Sequence, residues 1–139
     1  MPNMDKMLHS WMYVSTCQMS QIEMWKEFDD LVELSRARNA TLEVTGALLF
    51  SGTRFVQFIE GPLDGVSALQ NSIRADPRHR DVTTLSSRLL DKRTFPDWSL
   101  AYNGSSQFVE KVVDRALAST ADGSRQGVDM LLRLLKEFV

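Results

Sequence analysis

Cysteine occurs once in the 139 residues, at Cys17, and histidine twice, at His9 and His79. One thiol cannot close a disulfide within the chain, so a disulfide framework is excluded and a reducing, cytoplasmic setting is expected. Neither histidine has a cysteine or a second histidine at ligand spacing, which leaves no zinc site and no Cys/His nucleophile pair; no metal is expected. No apolar run approaches the roughly 18 residues of a membrane span, and the opening Met1-Pro2-Asn3-Met4-Asp5-Lys6 has no apolar leader stretch. Basic excess is missing as well: 16 lysines and arginines stand against 18 acidic residues, a net charge of −2. Direct nucleic-acid binding, which depends on neutralising phosphates, is therefore not expected. P-loop and dinucleotide glycine patterns are absent, and Gly46, Gly52, Gly61 and Gly65 read as backbone devices at turns and beside strands. Glu43, Glu60, Asp64 and Asp76 fall at no spacing that marks a general acid and base, so enzyme chemistry is not indicated.

What is present is enough apolar sequence, 43%, for one domain with one core. Trp11, Tyr13 and Ser15 alternate with Met12 and Val14, predicting a strand over 8–15 buried on both faces, with Tyr13 and Ser15 on one of them. Ser20 followed by Glu23 is a capping box, and Ile22, Trp25, Phe28, Leu31 and Val32 predict the apolar stripe of a helix running to Asn39. Residues 44–50 and 54–60 form a hairpin about Ser51-Gly52-Thr53, with Phe55, Gln57 and Ile59 facing one way. Gly61-Pro62 opens a second helix whose stripe, Val66, Leu69 and Ile73, stops before Asp76-Pro77. A strand over 82–90 and a short one over 98–102 follow.

The order β-α-β-β-α-β plus a short strand predicts an α+β, ferredoxin-like sheet with two helices on one face. The other face needs a cover. After the linker Asn103-Gly104-Ser105-Ser106, the stripes Phe108, Val112, Val113, Ala116 and Val128, Leu131, Leu132, Leu135, Phe138 predict two helices that supply it. Leucine on more than one side of the last helix also predicts contact with another subunit or a partner protein.

Tyr13, Ser15 and Gln57 fall on the helix-covered face of the sheet, where buried polar groups need partners. Either they bond one another within an ordinary core, or they converge on a polar ligand.

Six motifs bear on that choice. Tyr13-Val14-Ser15, Ser35-Arg36-Ala37-Arg38-Asn39, Val44-Thr45-Gly46-Ala47-Leu48-Leu49-Phe50, Phe55-Val56-Gln57-Phe58-Ile59-Glu60-Gly61-Pro62, Asp76-Pro77-Arg78-His79 and Arg93-Thr94-Phe95-Pro96-Asp97-Trp98-Ser99 follow in this order. Together they resemble the BLUF family of blue-light sensors over residues 8–103, with 104–139 as a C-terminal helical extension acting as cap, oligomer contact or output surface. The resemblance implies noncovalently bound FAD between the two helices, its ring end toward the sheet. It implies that Asn39 bonds the ring edge, that Gln57 lies between the ring and Tyr13, and that Asp76, Arg78 and His79 lie near the ribityl and phosphate part, with Ser15 and Arg38 also at the cofactor.

Those residue types suit the implied photochemistry. An amide carries a donor and an acceptor on one rotatable end, and a phenol can release an electron and a proton. Tyr13 and Gln57 are thus the implied photochemical pair, and Trp98 and Leu100 the implied relay toward the C-terminal helices. Many family members have methionine two residues after the tryptophan; Leu100 keeps the volume without the thioether. Arg38 stands where others often have a polar residue or histidine. The implied function is a light receptor, not an enzyme, acting through an oligomer or on a protein in trans. A cofactor-free interaction module and a flavin enzyme are the alternative readings.

Overall fold

A computed structural model describes residues 7–139, so the leader reading of the first six lies outside the described residues. The elements in chain order are β1 (Leu8–Cys17), α1 (Gln21–Thr41), β2 (Thr45–Phe50), β3 (Arg54–Gly61), α2 (Leu63–Ala75), β4 (His79–Leu90), β5 (Trp98–Asn103), α3 (Gln107–Asp122) and α4 (Gln126–Phe138). The sheet order is β4-β1-β3-β2-β5, antiparallel throughout except for the β2–β5 pair. This is the ferredoxin-like arrangement, extended by β5 at one edge.

The central strands are apolar on both faces because both faces are covered. On one, Trp11, Tyr13 and Ile59 pack on Val66, Leu69 and Ile73 of α2, while Leu48, Phe50, Phe55 and Trp98 pack on Met24, Phe28 and Val32 of α1. On the other, Met12, Val14, Val56 and Phe58 meet Val109, Val112, Val113 and Ala116 of α3 and Val128, Leu131, Leu134 and Leu135 of α4. Leu131 and Leu135 are fully buried, each contributing about 1.5–3 kcal/mol of apolar transfer. Arg54 at the start of β3 ties α3 down through ion pairs to Glu110 and to Asp114 at 2.8 Å.

Several sequence readings need correction. The capping box forms, with Ser20 Oγ accepting from Glu23 N at 3.1 Å, but Ile22 and Trp25 point outward, 69% and 89% exposed. The turn of 3.6 residues places the sheet-facing row at Met24, Phe28 and Val32, and Trp25 lies about 100° around from Met24. β4 begins at His79, paired with Cys17, three residues before the expected start at 82. The leucines of α4 are mostly taken up by the sheet, leaving Met130 and Phe138 as its exposed large apolar residues before the terminal Val139.

Gly46 shows why the Thr-Gly step is needed. Its φ is +151°, and a Cβ there would stand 1.9 Å from the carbonyl oxygen of Phe58 on β3. Only a residue without a side chain lets β2 lie against β3 at this point. No helix among the described residues is long and apolar enough to cross a membrane.

Candidate functional site

The antiparallel register sets Tyr13 of β1 directly opposite Gln57 of β3, so the two side chains share the face toward α1 and α2. Gln57 Nε2 donates to Tyr13 Oη at 2.7 Å, and Trp98 Nε1, from the first residue of β5, donates to Gln57 Oε1 at 2.9 Å. Asn39, in the last turns of α1, is fully buried. Its amide orientation is assigned from its partners: Oδ1 accepts from Trp98 Nε1 at 2.9 Å and Nδ2 donates to Ser35 O at 3.3 Å. One indole N–H is therefore shared between the Gln57 and Asn39 oxygens, and each amide keeps hydrogen-bonding capacity that protein groups do not use.

Above this floor lies a cleft of about 270 Å³ between α1 and α2, close to the lower end of small-molecule pockets. Tyr13, Arg38, Gln57, Asp76, Arg78 and His79 line it, together with Leu31, Leu34, Ser35, Leu48, Phe55 and Ile73. Leu34 is 68% exposed although it forms part of this wall, an apolar surface that a bound ring would cover.

The charged residues gather toward the mouth. Arg78 Nη2 pairs with Asp76 Oδ2 at 2.9 Å, its side chain 40% exposed against 17% for the aspartate. Burial pushes the Asp76 carboxyl up, but the Arg78 side chain, its backbone N–H and its charge outweigh this and hold Asp76 below the usual carboxylate range. Arg38 reaches across to Ser72 Oγ on α2 at 3.5 Å. His79 Nδ1 lies 2.6 Å from Ser15 Oγ. Burial lowers the pKa of the His79 imidazole, with Asp76 opposing, which favours the neutral ring. Burial also pushes the Tyr13 phenol far above its ordinary range, only partly relieved by Gln57 and Arg38, so the phenol keeps its proton in the dark.

Of the residues singled out in the sequence, Tyr13, Arg38, Gln57, Asp76, Arg78 and His79 meet at the cleft. Ser15 stands behind His79, Asn39 beside Trp98, and Trp98 beneath Gln57. Leu100 does not line the cleft; it pairs with Leu48, which does. Leu31, Leu34 and Ser35 were not assigned to the site, although with Arg38 they have the i, i+3, i+4, i+7 spacing that defines one helix face. The arrangement suits a planar ring with a donor–acceptor edge toward the Gln57 amide and an anionic tail toward the arginines; Asn39 is fully buried and does not line the cleft.

Comparison with known proteins agrees with this geometry. The sequence model of BLUF, described as sensors of blue-light using FAD, matches residues 8–101. Photoactivated adenylate cyclase subunit beta of Euglena gracilis is 38% identical over 99 residues, 69% of this chain, and the chain spans 11% of the length of that curated relative. The structure of BlrB, a BLUF protein in its dark state, matches with a TM-score of 0.76 at 29% identity, over 95% of this chain and 97% of that one. BlrP1 of Klebsiella pneumoniae with FMN and cyclic diGMP matches with a TM-score of 0.64 at 29% identity, over 94% of this chain and 34% of that one. Matched by the family's sequence model over residues 8–101 and by the fold of BlrB over nearly its whole length, the chain belongs to the BLUF family, the sensors of blue-light using FAD.

Proposed function

We propose that this protein is a blue-light photoreceptor that binds FAD noncovalently in the cleft and signals by rearranging the hydrogen bonds of Gln57. The carrying observation is the buried chain from Tyr13 through Gln57 to Trp98, with bonds of 2.7 and 2.9 Å at the cleft floor. Bound flavin supplies visible absorption and an excited state that accepts an electron. Asn39 and Gln57 offer the amide groups for the ring edge, Leu31, Leu34, Leu48 and Phe55 its apolar walls, and Arg38 and Arg78 the cations for phosphate.

Tyr13 has the role of electron and proton donor, the proton leaving from Oη and returning there. Gln57 Nε2 is bonded to that oxygen, and a phenol that has given up both its electron and its proton would be a neutral phenoxyl that can only accept hydrogen bonds, which changes which partner each end of the amide prefers. Trp98 and Asn39 feel the exchange because the same indole N–H serves both amide oxygens. One rearranged hydrogen bond is worth about 0.5–1.5 kcal/mol, enough to shift a two-state equilibrium about two- to tenfold. A signal of that size passes outward through β5, where Trp98 and Leu100 are carried, to α3 and α4 and from there to a second subunit or a protein in trans. The chain acts as a sensor and not as an enzyme, in the cytoplasm.

Titration of flavin-free protein with FAD, FMN and riboflavin, read by quenching of flavin emission, tests the assignment. FAD binds, and Arg38→Ala and Arg78→Ala weaken FAD and FMN more than riboflavin. Failure of all three flavins to bind would overturn it.

A further inference from the structure

We propose that Glu60 is a positioning residue for this site, holding from the far face of β3 the segment that delivers Trp98 to Gln57; the inference rests on the photoreceptor reading above. Strand alternation places Gln57 toward α1 and α2 and Glu60 toward α3 and α4. Glu60 is fully buried, and its Oε1 accepts from Thr94 N and Phe95 N, both at 2.6 Å. Its other oxygen has no hydrogen-bond partner among the described residues. Burial raises the pKa of the Glu60 carboxyl, and the Phe95 and Thr94 amides oppose this; because such bonds are strongest to the ionised form, the segment and the buried carboxylate hold each other in place.

The attachment is returned by the neighbouring residue. Arg93 Nη1 donates to Glu60 O at 3.2 Å and to Thr45 Oγ1 at 2.8 Å, and Nη2 donates to Glu43 O at 2.9 Å. Residues 93–95 are therefore fastened to the starts of β2 and the end of β3 by both the side chain and the carbonyl of Glu60. Phe95, so held, is 2% exposed and packs on Phe58 at 5.6 Å within the core of α3 and α4.

From Phe95 the chain has little freedom before it reaches the site. Pro96 fixes its own φ, and Asp97 O accepts from Gly46 N at 3.1 Å. Trp98 then enters the opposite face and meets Gln57. The indole is thus placed by a segment whose near end is set by Glu60, and the same segment carries Phe95 into the packing of the C-terminal helices. A change in either end is felt at the other.

The test uses ¹⁵N-labelled protein in the dark. Of its three tryptophans, Trp98 is assigned by the indole signal lost in Trp98→Phe. Trp11 Nε1 donates to Thr84 Oγ1 at 2.9 Å, away from the segment, and reports the fold. Glu60→Gln keeps volume but loses the charge, and Glu60→Ala removes the acceptor. Both are expected to shift or split the Trp98 signal with that of Trp11 unmoved, and to change the rate of dark recovery by about two- to tenfold, as one weakened hydrogen bond allows. A Trp98 signal at its wild-type position in both variants, or equal movement of the Trp11 and Trp98 signals, would overturn the proposal. A wild type without any light-induced shift would instead refute the photoreceptor reading, and the dark indole signals would still decide the role of Glu60.

Discussion

Replacing Gln57 by leucine separates the architecture of the site from its switching. The side chain makes two bonds, donating to Tyr13 Oη at 2.7 Å and accepting from Trp98 Nε1 at 2.9 Å. Without it, the indole N–H still has Asn39 Oδ1 at 2.9 Å, whereas Tyr13, 1% exposed, loses the one partner it has among the described residues. An unsatisfied buried polar group costs about 1–3 kcal/mol, and the leucine, in a position only 6% exposed, returns part of that through apolar burial. A net loss of about 1–2 kcal/mol follows, visible as a lower urea midpoint with an unchanged slope. The apolar walls and the arginines are untouched, so flavin binding survives, while the light-induced spectral shift disappears because the amide bonded to Tyr13 is gone. Paired dark and illuminated spectra of the flavin-loaded variant, with its unfolding curve, make the assay. A wild-type shift in a variant shown to carry leucine at position 57 would refute the reasoning.

Tyr13→Phe leaves Gln57 Nε2 without its acceptor and should likewise retain flavin yet lose the reversible shift, measured by the same spectra. Gly46→Ala forces a Cβ to within 1.9 Å of Phe58 O at a φ of +151°; a loss of more than about 3 kcal/mol is expected, seen as failure to recover folded protein. Burial raises the Glu110 carboxyl, but bonds from Ser51, Arg54 and Thr53 outweigh it, so its folded pKa lies below the ordinary value. The sign follows: the stability it contributes is present above the unfolded carboxylate pKa of about 4.3 and is lost as pH falls through the folded value. With Arg54 and Glu110 17% and 29% exposed, screening limits the contribution to under about 1 kcal/mol, and Glu110→Gln should flatten the acid side of a urea-midpoint against pH curve.

Element order was legible because period-2 and helical spacing are both clean here, and because Ser20, Gly61-Pro62 and Asp76-Pro77 punctuate the chain. The polar face was legible too, since Tyr13, Ser15 and Gln57 sit at alternate positions on strands that must pair. Trp25 shows the limit: an aromatic at roughly helical spacing reads as core until the sheet fixes which row of α1 faces inward, and the row chosen runs through Met24. Leu34 was equally hidden, because a leucine exposed on one wall of a cleft has no local sequence mark. Nor does spacing reveal that Glu60 bonds Thr94 and Phe95, or that Asn39 and Gln57 share one indole N–H. Those contacts join residues more than thirty positions apart, brought together by the pairing of β3 with β2 and of β2 with β5. The motifs that carry the family resemblance contain Asn39, Gln57, Glu60, Thr94, Phe95 and Trp98, but not the geometry that relates them.

The most direct test of the account is the absorption spectrum of the flavin-loaded protein in the dark and immediately after blue illumination. Oxidised flavin with a small red shift that decays in the dark is the predicted result, since the cofactor returns unchanged while the bonds around Gln57 do not. A flavin spectrum that illumination leaves unaltered would contradict it.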